Sequence, residues 1–220
     1  MQPLEGITWL GHAGFKISAV KSNRVIYIDP YQINETEKAD IILITHGHFD
    51  HCSLPDIQRI SKPETVIVAT PDCQSRIASL SVEFRELKIA QPGISLEIKG
   101  VRIETVPAYN TDKHFHPKED ELVGYIINLD SRRIYHAGDT DLIPEMKNIK
   151  NIDVALLPIG GTYTMNAEEA AEAVKIINPK AAVPMHYGSV VGSDADAARF
   201  KGLVGEKAVV MEEGVNRGQR

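Results

Sequence analysis

The sequence predicts an α+β fold in which two β-sheets pack together with helices on the outside. Short runs rich in Ile, Val, Tyr and Trp, bounded by Gly, Asn or Pro, fall into two groups along the chain. Each group is followed by helix-forming segments, so the helices must cover the sheets rather than form a bundle of their own. With 220 residues and 43% hydrophobic content, the chain can bury a real core, and it reads as a single domain over residues 1–220.

The first group contains ITWLG, GFKISAV, RVIYID ahead of Pro30, and ADIILI leading into Thr45. After a His-rich loop, LPDIQRISK reads as a short helix and TVIVAT as a buried strand. PDCQSRIASL then reads as a helix with Pro71 in its first turn, where a missing N–H costs nothing. In the second group, ISLEIKG, VRIETVPA, LVGYIINLD and RRIYHAG alternate apolar with polar residues, and LDSRR supplies a turn; these predict antiparallel strands. The long polar loop YNTDKHFHPKEDE interrupts them. The final third predicts a strand at DVALLPIGG, a helix at NAEEAAEAVKIIN, a strand at KAAVPMH, a helix around DADAARFKGLV and a last strand KAVVME, with RGQR as a frayed tail. Asn166 and Glu169 form a capping-box pattern for the clearest of these helices, and Ala170, Val174 and Ile177 mark its inward stripe. The sequence contains no internal repeat, linker or low-complexity segment.

Lys plus Arg number 24 against 30 Asp plus Glu, a formal charge of −6, so a broad nucleic-acid-binding surface is not expected. The two cysteines, Cys52 and Cys73, form no CxxC framework, and no stretch has the length of a membrane span. The expectation is a cytoplasmic protein with a small-molecule substrate, no membrane partner and no nucleic acid, compatible with a homo-oligomer.

All eight histidines, His12, His46, His48, His51, His114, His116, His136 and His186, lie at or beside predicted strand ends. A lone histidine is usually a packing or surface residue, but the group demands a joint reading. In His46-Gly47-His48-Phe49-Asp50-His51, alternate side chains can point one way while a turn at Gly47 swings Asp50 and His51 beside them. Imidazoles suit zinc, iron, manganese or nickel, and a carboxylate among them favours a catalytic centre over a closed structural site. Asp139 reads as a ligand or as the N-cap of a short helix LIPEMKN, and His186 as a ligand or a packed strand end. His136, in phase with Gly138, reads as a packing or supporting residue.

The motif HxHxDH after a hydrophobic strand resembles the signature of the metallo-β-lactamase-fold hydrolases. The resemblance covers nearly the whole chain through ITWLGHAGF, IDPY, THGHFDH, VGYIINLDSRRIYHAGDTDL and ALLPIGGTYTMNAEEAAEAVKIINPKAAVPMHYG. These blocks look like the branch that contains ascorbate-6-phosphate lactonase. The resemblance implies a four-layer αββα sandwich with one or two divalent metal ions (Zn, Mn, Ni or Fe) at one edge of the sheets. It implies His46 and His48 on the first metal, Asp50, His51 and His186 on the second, and Asp139 as a bridge. The remaining first-site histidine of many relatives is replaced here by Asn110, a poor ligand for a soft metal. Three readings follow: an incomplete first site, a substitute from the next loop (His116, then His114), or His12.

The implied activity is metal-dependent hydrolysis by a metal-activated hydroxide on a small, anionic substrate such as a lactone, an ester or a phosphorylated metabolite. Asp50 would ligate and orient the hydroxide, and the departing group would take its proton from that same water or from an imidazole, with His12 and His116 as the candidates. Lys113, Lys118 and the Gly160–Gly161 backbone are candidate anion contacts, or merely a solvated surface. Alternatives are a phosphodiesterase or nuclease, and a metal-binding protein without hydrolytic activity.

Overall fold

A computed structural model describes residues 3–19 and 21–215. Twelve strands form two six-stranded sheets. The first contains β1 (Ile7–Trp9), β2 (Phe15–Ala19), β3 (Arg24–Ile28), β4 (Ile41–Ile44), β5 (Val66–Ala69) and β6 (Glu86–Ile89), side by side in chain order. The second contains β7 (Ser95–Ile98), β8 (Val101–Pro107), β9 (Val123–Leu129), β10 (Arg132–His136), β11 (Val154–Pro158) and β12 (Ala181–Met185), also side by side in chain order. The helices are α1 (Leu54–Ile60), α2 (Gln74–Ala78), α3 (Ala167–Ile177) and α4 (Asp194–Val204).

Alternation along the strands builds the layers. Ile26, Ile28, Ile41 and Leu43 point into the large core shared with the second sheet. Their neighbours Tyr27, Ile42 and Ile44 point the other way, onto Ile57 and Ile60 of α1 and Ile77 of α2. On the far side, Ala170, Val174 and Ile177 of α3 are buried against the second sheet, and Asn166 and Glu169 make the capping box the sequence predicts. The result is the expected αββα sandwich. Among the described residues, no helix is long and apolar enough to cross a membrane.

Three expectations change. PDCQSRIASL and LIPEMKN are not plain α-helices: Pro71–Cys73 and Pro144–Asn148 are 3₁₀ turns, each with a proline at its start. KAVVME forms only one bridge, Ala182 to Ala208, with the Val209 N–H donating to Ala182 O at 2.8 Å. Pro184 lies two residues further along the same side of β12 and has no N–H to extend that ladder. The segment instead crosses to the other sheet, where the Gly214 N–H donates to Trp9 O. Strand β6 is not announced by the sequence because it is a half-exposed edge with a mixed pattern, ELKI. The expected frayed tail RGQR lies outside the described residues.

Candidate metal centre

β1, β3 and β4 run in one direction, as do β8, β10 and β12 in the facing sheet, so their C-terminal ends meet at one edge of the sandwich. The residues just beyond those ends are His12, Asp29, His46 to His51, Asn110, Asp139 and His186. His12, Asp29 and His186 are buried with left-handed backbone, φ 48°, 43° and 58°. Side-chain-bearing residues adopt this region at a cost, and surrounding bonds hold it here. The His186 N–H and the Trp9 indole N–H both donate to His12 O at 2.9 Å, tying the end of β12 to the turn after β1.

The side chains form two adjoining nests. In one, His46 Nε2 lies 3.0 Å and His116 Nε2 3.2 Å from His48 Nδ1. In the other, Asp50 Oδ2 lies 2.9 Å from His12 Nε2, 3.8 Å from His51 Nε2 and 3.9 Å from His186 Nε2. Asp139 touches both: Oδ1 is 3.3 Å from His51 Nε2, and Oδ2 is 3.0 Å from His186 Nε2 and 3.4 Å from His116 Nε2.

Outer partners assign the tautomers. Thr45 Oγ1 donates to Asp29 Oδ2 at 2.7 Å and so accepts from His46 Nδ1 at 3.0 Å. His51 Nδ1 donates to Asp29 Oδ2 at 2.8 Å, and His116 Nδ1 to Asn110 Oδ1 at 3.1 Å. With Nδ1 committed as donor, each of these three rings turns its Nε2 inward, and in the neutral form that nitrogen carries the lone pair that ligates a metal.

These facing lone pairs have little else to meet. His51 Nε2, His186 Nε2 and Asp139 Oδ1 are buried and, apart from their close contacts with one another around Asp139, make no well-aligned hydrogen bond, which a folded protein rarely tolerates. Atoms held about 2.0–2.1 Å from a tetrahedral zinc lie about 3.3 Å apart, close to the spacings in both nests. The donor set therefore fits divalent ions. Burial lowers the pKa of His46 and His116, favouring neutral rings. Burial alone would raise the carboxyls, but the His12 hydrogen bond and His51 outweigh it at Asp50, leaving it at about 2, and His186 and His51 hold Asp139 well below its usual range. Burial would lower His51, yet Asp139 and Asp29 on either side raise it.

His46, His48, Asp50, His51, His116, Asp139 and His186 thus come together, and His12 joins the second nest rather than the first. His114 is exposed. Asn110 serves as the acceptor that orients His116, its own amide donating to Asp141 Oδ1 and Tyr163 O. Asp139 is no helix cap, because the following 3₁₀ turn, Pro144–Asn148, has Ile143 at its N-cap. His136 supports the fold: its Nε2 donates to Ala13 O at 2.9 Å, and its Nδ1 accepts from the Gly138 N–H.

Three of the candidate anion contacts, the two lysines and the Gly161 N–H, are otherwise engaged. Lys113 pairs with Asp141 at 2.7 Å, Lys118 with Glu145 at 2.9 Å, and the Gly161 N–H donates to Met165 O. Sequence reasoning missed Asp29, whose signal is a strand-ending Asp before Pro30. It also missed a clamp on the ligand loop, in which Asp72 accepts from the Gly47 N–H at 2.7 Å and Arg76 donates to Gly47 O and Cys52 O.

Residues 6–186 match the family described as beta-lactamase superfamily domain. A protein of Thermococcus onnurineus named metal-dependent hydrolase is 39% identical, over 93% of this chain and 94% of its own. A solved structure from Parabacteroides distasonis, also named for metal-dependent hydrolysis, superposes with TM-score 0.82 at 34% identity, covering 94% of this chain and 92% of that one. A metallo hydrolase of Ignicoccus hospitalis gives TM-score 0.74 at 29% identity, with 95% of each chain covered. The chain belongs to the metallo-β-lactamase superfamily, among the metal-dependent hydrolases of that fold.

Proposed function

We propose that the protein hydrolyses a small-molecule ester, lactone or phosphorylated metabolite at a centre for two divalent ions. Asp139 carries the reading: one buried carboxylate within 3.4 Å of imidazole nitrogens from both nests. His46, His48 and His116 would hold one ion, and Asp50, His51 and His186 the other, with Asp139 between. Ions bound there supply Lewis acidity, which brings the pKa of water toward about 7 and polarises the attacked carbonyl or phosphoryl group.

The chain's own groups do the rest. Asp50 is fixed by the His12 Nε2 hydrogen bond and oriented toward the second nest, where it can hold attacking water. His12, whose proton lies on that bond, is assigned proton delivery to the leaving group. His116, with Nδ1 held by Asn110 and Nε2 in the first nest, is assigned to ligation instead. Pairing of Lys113 and Lys118 with acidic groups leaves the anionic part of the substrate reading without its lysine contacts. The net charge of −6 disfavours nucleic acid. Two free, buried cysteines support a reducing compartment such as the cytoplasm.

The test is a panel of carboxylic esters, lactones, phosphomonoesters, phosphodiesters and RNA, assayed with zinc, manganese or nickel, together with metal analysis. His48→Ala and Asp139→Ala are expected to lower metal content and turnover together. Unchanged activity in metal-free protein, or cleavage of RNA alone, would contradict the reading.

A further inference from the structure

Among the described residues, five large hydrophobic side chains stand exposed: Phe49, Phe115, Val190, Leu203 and Val215. The first three line one cavity of about 220 Å³, together with Tyr163. Its floor includes His48, Asp50 and Asp139, so it opens directly onto both nests. Phe49 is 60% and Phe115 48% exposed, though Phe49 lies between His48 and Asp50 and Phe115 directly precedes His116, all of which face the centre. Ring contacts hold both in place: Phe115 meets Tyr163 edge-on at 4.6 Å, and Phe49 meets Tyr31 edge-on at 5.8 Å. No Lys or Arg lines this cavity, and the nearby Lys113 is bound to Asp112 and Asp141.

Exposed aromatic rings around a polar, ligand-rich floor make sense if an apolar group covers them in use. We infer that Phe49, Phe115, Tyr163 and Val190 form a collar for an uncharged, apolar acyl group, so that the substrate is a carboxylic ester or lactone with a hydrophobic acyl chain. This rests on the hydrolytic reading above and narrows it. A phosphorylated substrate would bring charge to a rim that offers no free cation, whereas an acyl chain would dehydrate the exposed rings. In the reaction, water adds to the acyl carbon and the acyl–oxygen bond breaks. A water proton passes by way of His12 to the departing oxygen, so an ester gives an acid and an alcohol, a lactone gives one hydroxy acid, and no other reactant is needed.

The test compares 4-nitrophenyl acetate, butyrate and hexanoate with 4-nitrophenyl phosphate and bis(4-nitrophenyl) phosphate on zinc- or manganese-loaded protein. kcat/KM is expected to rise about threefold per added methylene, since each buried methylene contributes favourable transfer free energy. Phe49→Ala and Phe115→Ala should flatten that slope at unchanged metal content. A second readout needs no turnover: the uncharged fluorophore N-phenyl-1-naphthylamine should bind metal-free protein and bind at least fivefold more weakly to each variant. A flat or falling chain-length series with active enzyme, or fluorophore binding indifferent to both substitutions, would overturn the collar while leaving hydrolysis intact. A change of oligomeric state in the variants with an unchanged slope would also overturn it, because the rings would then cover a second copy of the chain. If no substrate turns over with any metal, the hydrolytic reading fails, and fluorophore binding alone decides the collar.

Discussion

Asn110 accepts both the backbone N–H of His116, at 3.0 Å, and its ring Nδ1, at 3.1 Å. One side chain thereby fixes where the loop folds back and which nitrogen of the imidazole faces the centre. Asn110→Ala should weaken binding of one ion by about 10- to 100-fold, as loss of an outer partner typically does, while the other ion stays bound; chelator competition measures this. His116→Ala should lose that same ion, and His12→Ala should retain both; loss of an ion in His12→Ala alone would reverse the assignment. The loop from His46 to His51 was legible as a candidate site because its imidazoles and carboxylate are sequence neighbours at one strand end. Asn110 was legible only as the absence of an expected histidine. Its positive role depends on a loop closing through the Asn110 N–H to His116 O, which no spacing rule encodes.

The ligand loop depends on elements that carry no ligand. Asp72 and Arg76, on the 3₁₀ turn and helix after β5, grip the backbone at Gly47 and Cys52. Arg76→Ala should lower affinity for both ions, because the loop supplies ligands to each nest, and should leave Asn110-dependent ordering of His116 intact; metal titration followed by NMR of the imidazoles checks both parts. At the opposite end of the sheet, Asp40 accepts from the Val25 N–H at 3.0 Å and pairs with Lys62 at 3.0 Å and Lys99 at 3.4 Å. Burial would raise its pKa, but the Val25 hydrogen bond and the two ammonium groups outweigh it and hold the carboxyl below its usual value. A depressed carboxyl stabilises above its unfolded pKa, and the contribution is lost as pH falls through the folded one. Asp40→Asn should therefore cost about 1 kcal/mol at pH 7, and that cost should shrink as pH falls below the usual carboxylate range, read by denaturant unfolding across pH. Runs of β-branched and aromatic residues made β2 and β3 legible, alternation did so for β8 and β9, and the capping box for α3. β6 and the segment after α4 were not, because an edge strand is decided by its neighbour and Pro184 cuts short a ladder that the pattern of KAVVME favours.

At the scale of the molecule, the centre closes the two sheets at one edge: side chains after β1, β3 and β4 meet those after β8, β10 and β12. Metal bound there by the folded chain alone must stabilise it; at a metal concentration 100 times the Kd the gain is about 2.7 kcal/mol. Chelation should accordingly lower Tm by about 5 to 10 °C for a chain of this size. The sandwich was legible from strand grouping and the edge that gathers the histidines from their placement, whereas the division into two nests needed the distances around Asp139. Anomalous diffraction from crystals grown with manganese or zinc tests that division most directly. Two peaks are expected about 3.5–4 Å apart, one among His46, His48 and His116 and one among Asp50, His51 and His186, with Asp139 reaching both. A single peak, or a first ion held by Asn110 with His116 turned away, would contradict it.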